Sequence, residues 1–298
     1  MKIVVPVPIT DARLSSSSLV EDEYPLWDIA QAYVIGDRVI YVAVDIHNIY
    51  EAVATSTAVD PYSDTGTYWV KVGSTNKYKM FDASVASQSV DSGTINVTVR
   101  LNEPIDTIAF IGTDATSVTV TITDPVAGVV YNAATSLVDP AGIDDWYEYF
   151  YEAPQRKVDS MLTNLPRYGG AAIRVVLSSP SGLVGCAEMV FGRAKEIGWT
   201  QYGAKVGIVD YSVKAINVFG EYALVKRAFH KTADFTVFIE PTAVDGLQAL
   251  LASYRSDPVV YVGDDSFGST IIYGFYRDFN VDIAYPSYSV CSITIEGL

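Results

Sequence analysis

Apolar and polar side chains alternate with a period of two in one segment of this chain after another. In "TINVTVRL" (94–101), Ile95, Val97, Val99 and Leu101 fall on one face. "IDTIAFIG" (105–112) and "TSVTVTITD" (116–124) follow, with "AAIRVVLSS" (171–179) and "CAEMVFG" (186–192) later. Alternation bounded by turn residues is the signature of half-buried antiparallel strands, because successive side chains of a strand point to opposite faces. Several such strands over this length predict a β-sandwich or jelly roll. With 49% hydrophobic and 18% charged residues, the chain can build a packed core throughout. Its 21 tyrosines and scarce methionine also favour strands.

Punctuation along the 298 residues predicts four regions. Residues 1–25 read as an extended, edge-type arm and linker, since "VVPVPIT" carries prolines that cannot donate to a ladder and "SSSS" and "EDEYP" follow. Residues 26–75 form a compact unit of short strands, and residues 76–193 the sandwich. Residues 194–298 read as a further antiparallel β domain carrying one helix over 242–254. Thr242 is its expected cap, Val244, Leu247, Leu250, Leu251 and Tyr254 its apolar stripe, and Pro258 its stop. The expected fold class is therefore mainly β with one packed helix.

Charge narrows the partners. With 20 basic against 35 acidic side chains, the net −15 repels phosphate backbones and anionic lipid, which argues against nucleic acid. No apolar run approaches a membrane span, so no membrane insertion is expected, and "MKIVVPVPITDARL" is a poor secretory signal. Chemistry is equally sparse. Cys186 and Cys291 lie far apart among apolar neighbours and read as buried small hydrophobes. His47 and His230 lack helical metal partners, and no phosphate loop, dinucleotide fingerprint or nucleophile elbow occurs. The acidic pairs at 144–145 and 264–265 read as loop residues, and the ring-rich "WYEYFYEAP" (146–154) as a subunit contact. The expectation is a protein that is not an enzyme, with no catalytic residue, metal or cofactor.

Aromatics crowd the small unit around one Gly-Asp turn. Trp27, Tyr33, Gly36, Asp37, Val39, Tyr41, Tyr50, Ala52, Pro61 and Trp69 occur in an order that resembles the small chitin-binding modules of bacterial chitinases. Gly36 supplies the positive φ of a tight turn, and Asp37 can bond its backbone. Some rings must be core, because the unit holds few other large apolar groups. The resemblance implies glycan binding, with Trp27, Tyr33, Tyr50, Tyr62, Tyr68 and Trp69 as candidates. The family's exposed aromatics follow Tyr-x-Ala, whereas Val53, Ala54 and Thr55 stand there in this chain.

Directly after this unit, "WVKVGSTNKYKMFD" (69–82) resembles a junction in tail proteins of bacteriophages, matched by Asn76, Met80, Phe81 and Asp82. "IGWTQYGAKVGIVDYSVKAINVFGEYALVKRAF" (197–229) resembles a segment of phage tail-tip proteins through Gly203, Asp210, Tyr211, Ser212, Phe219, Gly220 and Arg227. These resemblances imply a structural component of the virion tail tip or baseplate, made in the host cytoplasm. It would self-associate into a three- or six-fold ring and contact the tail tube and neighbouring tail proteins. The alternative is an adhesion protein that recognises a host surface glycan through residues 26–73. A cell-wall hydrolase is a weaker third reading.

Overall fold

The computed structural model describes residues 1–139, 145–147, 155–216, 219–283 and 285–298, with residue 181 described by its backbone only. The fold is mainly β, built on antiparallel sheets with one α-helix of more than one turn among the described residues. A single 25-residue strand, Ala172–Glu196, organises it. Its first part lies between the strands Ser89–Arg100 and Ser117–Asp124. The register shifts between Ser178 and Leu183, around Pro180 and a positive-φ Gly182. Beyond the shift the strand pairs with Thr107–Asp114, and its last residues pair with the strand Lys2–Pro6.

Segments 94–101, 116–124 and 171–179 alternate in burial as their period requires, whereas 105–111 and 186–192 are buried on both faces, between two cores. Ile95, Val97 and Val99 are buried, and they join Phe110, Val120, Val175, Leu177 and Phe191 in one sandwich-like core. What the alternation did not reveal is that segments 171–179 and 186–192 are one bent strand.

Residues 1–25 correct the expectation of an edge-type arm. Lys2–Pro6 is an internal strand, paired with Gly192–Glu196 on one side and, over Lys2–Val4, with Val260–Val262 on the other. Ile3 and Val4 are fully buried. Pro6 is tolerated because it sits past the end of the second ladder, where no donor is needed. Gly192 lets the two backbones approach, since a Cβ there would collide with the Val5 carbonyl. Leu14–Ser17 then pairs along Val97–Val99. Met1 and Ile3 reach one core and Leu14 and Leu19 another, so the amino terminus stitches the chain's own parts together.

The carboxy-terminal strands Val259–Val262, Ile271–Asp282, Ser289–Gly297 and Phe229–Ile239 continue the same sheet across residue 193. Val4, Ala109, Val190, Val260 and Tyr273 share a small core at the seam. The helix, Val244–Ser253, packs Leu247 and Leu251 against Phe235, Val237, Tyr261 and Ile293. Thr242 does not cap it: a 3-10 turn, Pro241–Ala243, leads in, and no side chain bonds the helix's first amides. Among the described residues no helix is long and apolar enough to cross a membrane.

Candidate binding and assembly surfaces

The small unit is a three-stranded sheet of Arg38–Ala43, Ile46–Ala52 and Trp69–Ser74. Its Gly-Asp turn forms as the sequence requires. Gly36 has φ +92°, its N–H donates to Ala52 O at 2.8 Å, and Asp37 Oδ2 accepts from Val34 N–H at 2.8 Å. Asp64 closes the later loop, accepting the amides of Gly66, Tyr68 and Trp69 at 3.1, 2.9 and 2.9 Å. The amides of Trp69 and Tyr68 hold this carboxyl below its ordinary range.

Three of the six candidate glycan residues turn out to be core. Tyr33, Tyr50 and Trp69 are 3%, 6% and 1% exposed and pack with Val39 and Ala52. Tyr33 and Trp69 meet edge-on at 5.0 Å, and the Trp69 indole N–H donates to Val59 O at 3.1 Å. So small a sheet has few other large apolar groups to exclude water, chiefly Ile40 and Ile49, and its rings are consumed in doing so. Trp27 is half-buried, and its indole N–H has no acceptor. Tyr62 and Tyr68 are exposed. Tyr62 stacks on Tyr41 at 6.1 Å with 11° between planes, and Tyr41 touches Trp27 at 5.9 Å. The exposed rings of the unit are therefore Tyr62 and Tyr68, whereas Tyr41 is half-buried beneath Tyr62 and beside Trp27.

The opposite face of this sheet rests on the amino-terminal segment. His47, 8% exposed, has Nε2 2.7 Å from Asp11 Oδ1 and Nδ1 2.7 Å from Glu21 Oε1. Its ring stacks on Tyr78 at 3.9 Å, Tyr78 Oη donates to Asp11, and Thr75 Oγ1 donates to Glu21 at 2.7 Å. Burial opposes ionisation of Asp11, but the bonds from Tyr78, the Asp45 amide and His47 outweigh it and bring its pKa down to about 2. No local sequence signal marks this junction, because its members lie up to 67 residues apart.

Past the junction, Asn76 exchanges two 2.8 Å bonds with the Val90 backbone, Met80 is fully buried and Phe81 packs on the sandwich core. Asp264 caps a turn at Ser266, and Asp265 pairs with Lys2. Residues 144 and 148–154, and with them most of "WYEYFYEAP", lie outside the described residues. Among the described residues no cluster of His, Cys, Asp and Glu could hold a metal.

An extended run of exposed apolar side chains lies at residues 205–216 and 219–229. Lys205–Asp210 pairs with Phe229–Ile239, but the next strand of the body, Ser289–Gly297, accompanies that partner only from Thr232 onward. Beyond that point the ribbon leaves the body and continues as the hairpin Val213–Ile216 with Tyr222–Val225. Every residue of these three outer strands is exposed. On the hairpin Ile216, Tyr222 and Leu224, 61%, 69% and 70% exposed, share one face, and Val213 and Val225, 37% and 54% exposed, stand on the other, so apolar side chains occupy both faces. At ~3.3 Å per residue the overhang reaches up to ~30 Å. Across 205–229 there are four basic and two acidic side chains, making this a basic segment in an acidic chain.

Comparison of the chain with protein-family models, with curated proteins and with solved structures finds no match.

Proposed function

We propose that this chain is a non-enzymatic structural component of a tailed-phage virion, at the tail tip or baseplate. It would act by assembling with copies of itself and with neighbouring tail proteins. One observation carries the assembly part: a ribbon up to ~30 Å long, apolar on both faces and basic, projecting from an acidic body. Such a surface is costly to leave in water and marks a protein contact. A ribbon from one copy laid on the acidic body of the next is a head-to-tail contact, which closes into a ring when the rotation allows. The virion assignment rests on the resemblances at 69–82 and 197–229.

The test is the mass of purified protein by light scattering, with and without Ile208→Asp and Leu224→Asp. Wild type should form discrete oligomers, and the double variant should be monomeric with an unchanged melting curve. Monomeric wild type at high concentration would remove the assembly reading.

The second reading, adhesion through residues 26–73, draws on the exposed rings of Tyr62 and Tyr68. Deleting 26–73 separates the two. Intact particles that no longer adsorb favour adhesion, and failed particles favour scaffolding.

A further inference from the structure

At the seam between the sandwich and the carboxy-terminal lobe lies a cavity of about 380 Å³. Its walls are apolar and aromatic, supplied by Val5, Pro8, Phe81, Pro258 and Tyr273. Two acids complete the lining: Asp257, which is exposed, and Glu188, whose side chain is almost wholly buried. The Glu188 carboxyl accepts from neutral donors, the Ala83 amide to Oε2 at 3.1 Å and the Ser84 amide. No lysine or arginine lines the cavity or pairs with Glu188 among the described residues.

This is an unusual place for a carboxyl. Burial first, and then the neighbouring Asp82, push its pKa up to about 9. Asp82 is itself raised by burial, although Lys71 and Lys79 offset part of that. Tyr273 is raised by burial and by both acids. Among the described residues the ionisable groups that act on Glu188 are thus carboxyls, a phenol and the Cys186 thiol, none of them a cation. A proton is the cation that now satisfies it, and an organic cation with an apolar stem would satisfy it better. The stem would lie on the proline and aromatic walls, and the head would supply the missing charge.

We propose that the cavity is a binding site for an alkylammonium group, with Glu188 as its counter-ion. On binding, the Glu188 carboxyl gives its proton to solvent, and the carboxylate accepts hydrogen bonds from the ammonium, so charge is conserved in the site. A free amine and a lysine side chain from another protein share this chemistry. This inference stands independently of the assembly reading.

The experiment is titration calorimetry of the full chain at pH 7 with n-butylammonium. Nα-acetyl-lysine methylamide serves as the lysine arm and n-pentanol as the uncharged control. Running each titration in two buffers of different ionisation enthalpy counts the protons released. Expected is saturable binding of the amine with close to one proton released, no comparable binding of pentanol, and at least tenfold weaker binding with no proton released in Glu188→Gln. Gln keeps the acceptor for the Ala83 amide, so this variant should fold. Tighter binding of the lysine arm than of butylammonium would identify a protein ligand, and the reverse a free amine. Absence of saturable binding by either amine, equal affinity in Glu188→Gln, or binding without proton release would overturn the proposal.

Discussion

Glu188 offers the sharpest quantitative test of the structure. Its carboxyl goes from an ordinary pKa of 4.5 in the unfolded chain to about 9 when folded, chiefly because burial disfavours the charge. Between those two values the folded protein keeps a proton that the unfolded chain releases. Stability contributed by this raised group is therefore complete below 4.5 and is lost as pH rises towards 9, by about 1.4 kcal/mol per pH unit. At pH 7 the accumulated loss is about 3 kcal/mol. Glutamine is neutral at every pH and has the same shape, so Glu188→Gln removes the loss. The variant should match wild type near pH 4.5 and exceed it by about 3 kcal/mol at pH 7. At roughly 2 °C per kcal/mol for a chain this size, that is ~6 °C in melting temperature. Thermal melts of both proteins at half-unit steps from pH 4.5 to 8 measure it directly. A gap between the two curves that stays constant with pH would refute the reasoning. So would a variant that becomes less stable as pH rises, which would mean that the folded carboxylate is ionised and paired.

Trp69→Ala should cost roughly 3–5 kcal/mol and collapse the small unit, because the ring is core. Protection of the Arg38–Ala43 and Ile46–Ala52 amides from hydrogen exchange should be lost, while the sandwich strands keep theirs. Tyr62→Ala should leave that protection intact, and any chitin-oligomer affinity should fall with it, since Tyr62 is an exposed ring and Trp69 is not. Asp11 is depressed when folded, so its stabilisation is present above the unfolded value of 3.8 and lost as pH falls through about 2. Its side chain is 36% exposed, so after screening Asp11→Asn should cost about 1 kcal/mol at pH 6 and nothing near pH 2. Urea titrations at the two pH values would show it, and an equal loss at both would contradict the hydrogen-bonded carboxylate account. Cys186 and Cys291 are fully buried with thiols pushed up to about 12 and 11, so a disulfide-exchange reagent should label neither until the chain unfolds. Labelling of the native protein at the rate of a free thiol would show that the cores open.

The two-residue period was enough to determine that the chain is mainly β and which side chains of 94–101 and 116–124 face inward, because strand geometry alone sorts alternate residues to opposite faces. That 105–111 is buried on both faces was decided by the packing. The Gly36–Asp37 turn and the apolar stripe of the helix were legible for the same reason: their determinants are a few residues apart. The crowding of rings in residues 26–75 was visible too, along with the need for some of them to be core.

Tertiary structure decided the rest, because each remaining answer depends on partners distant in the chain. Tyr33, Tyr50 and Trp69 became core rather than platform only when the sheet closed over them. The prolines at 6 and 8 suggested an edge strand, yet the strand is internal, since the second ladder ends at Val4 before a donor is missed. Two alternating segments proved to be one bent strand that carries a single sheet across residue 193. Neither the His47 junction nor the Glu188 cavity has a local signature. Each is assembled from segments separated by dozens of residues, and burial, which no short stretch of sequence encodes, gives those groups their chemistry.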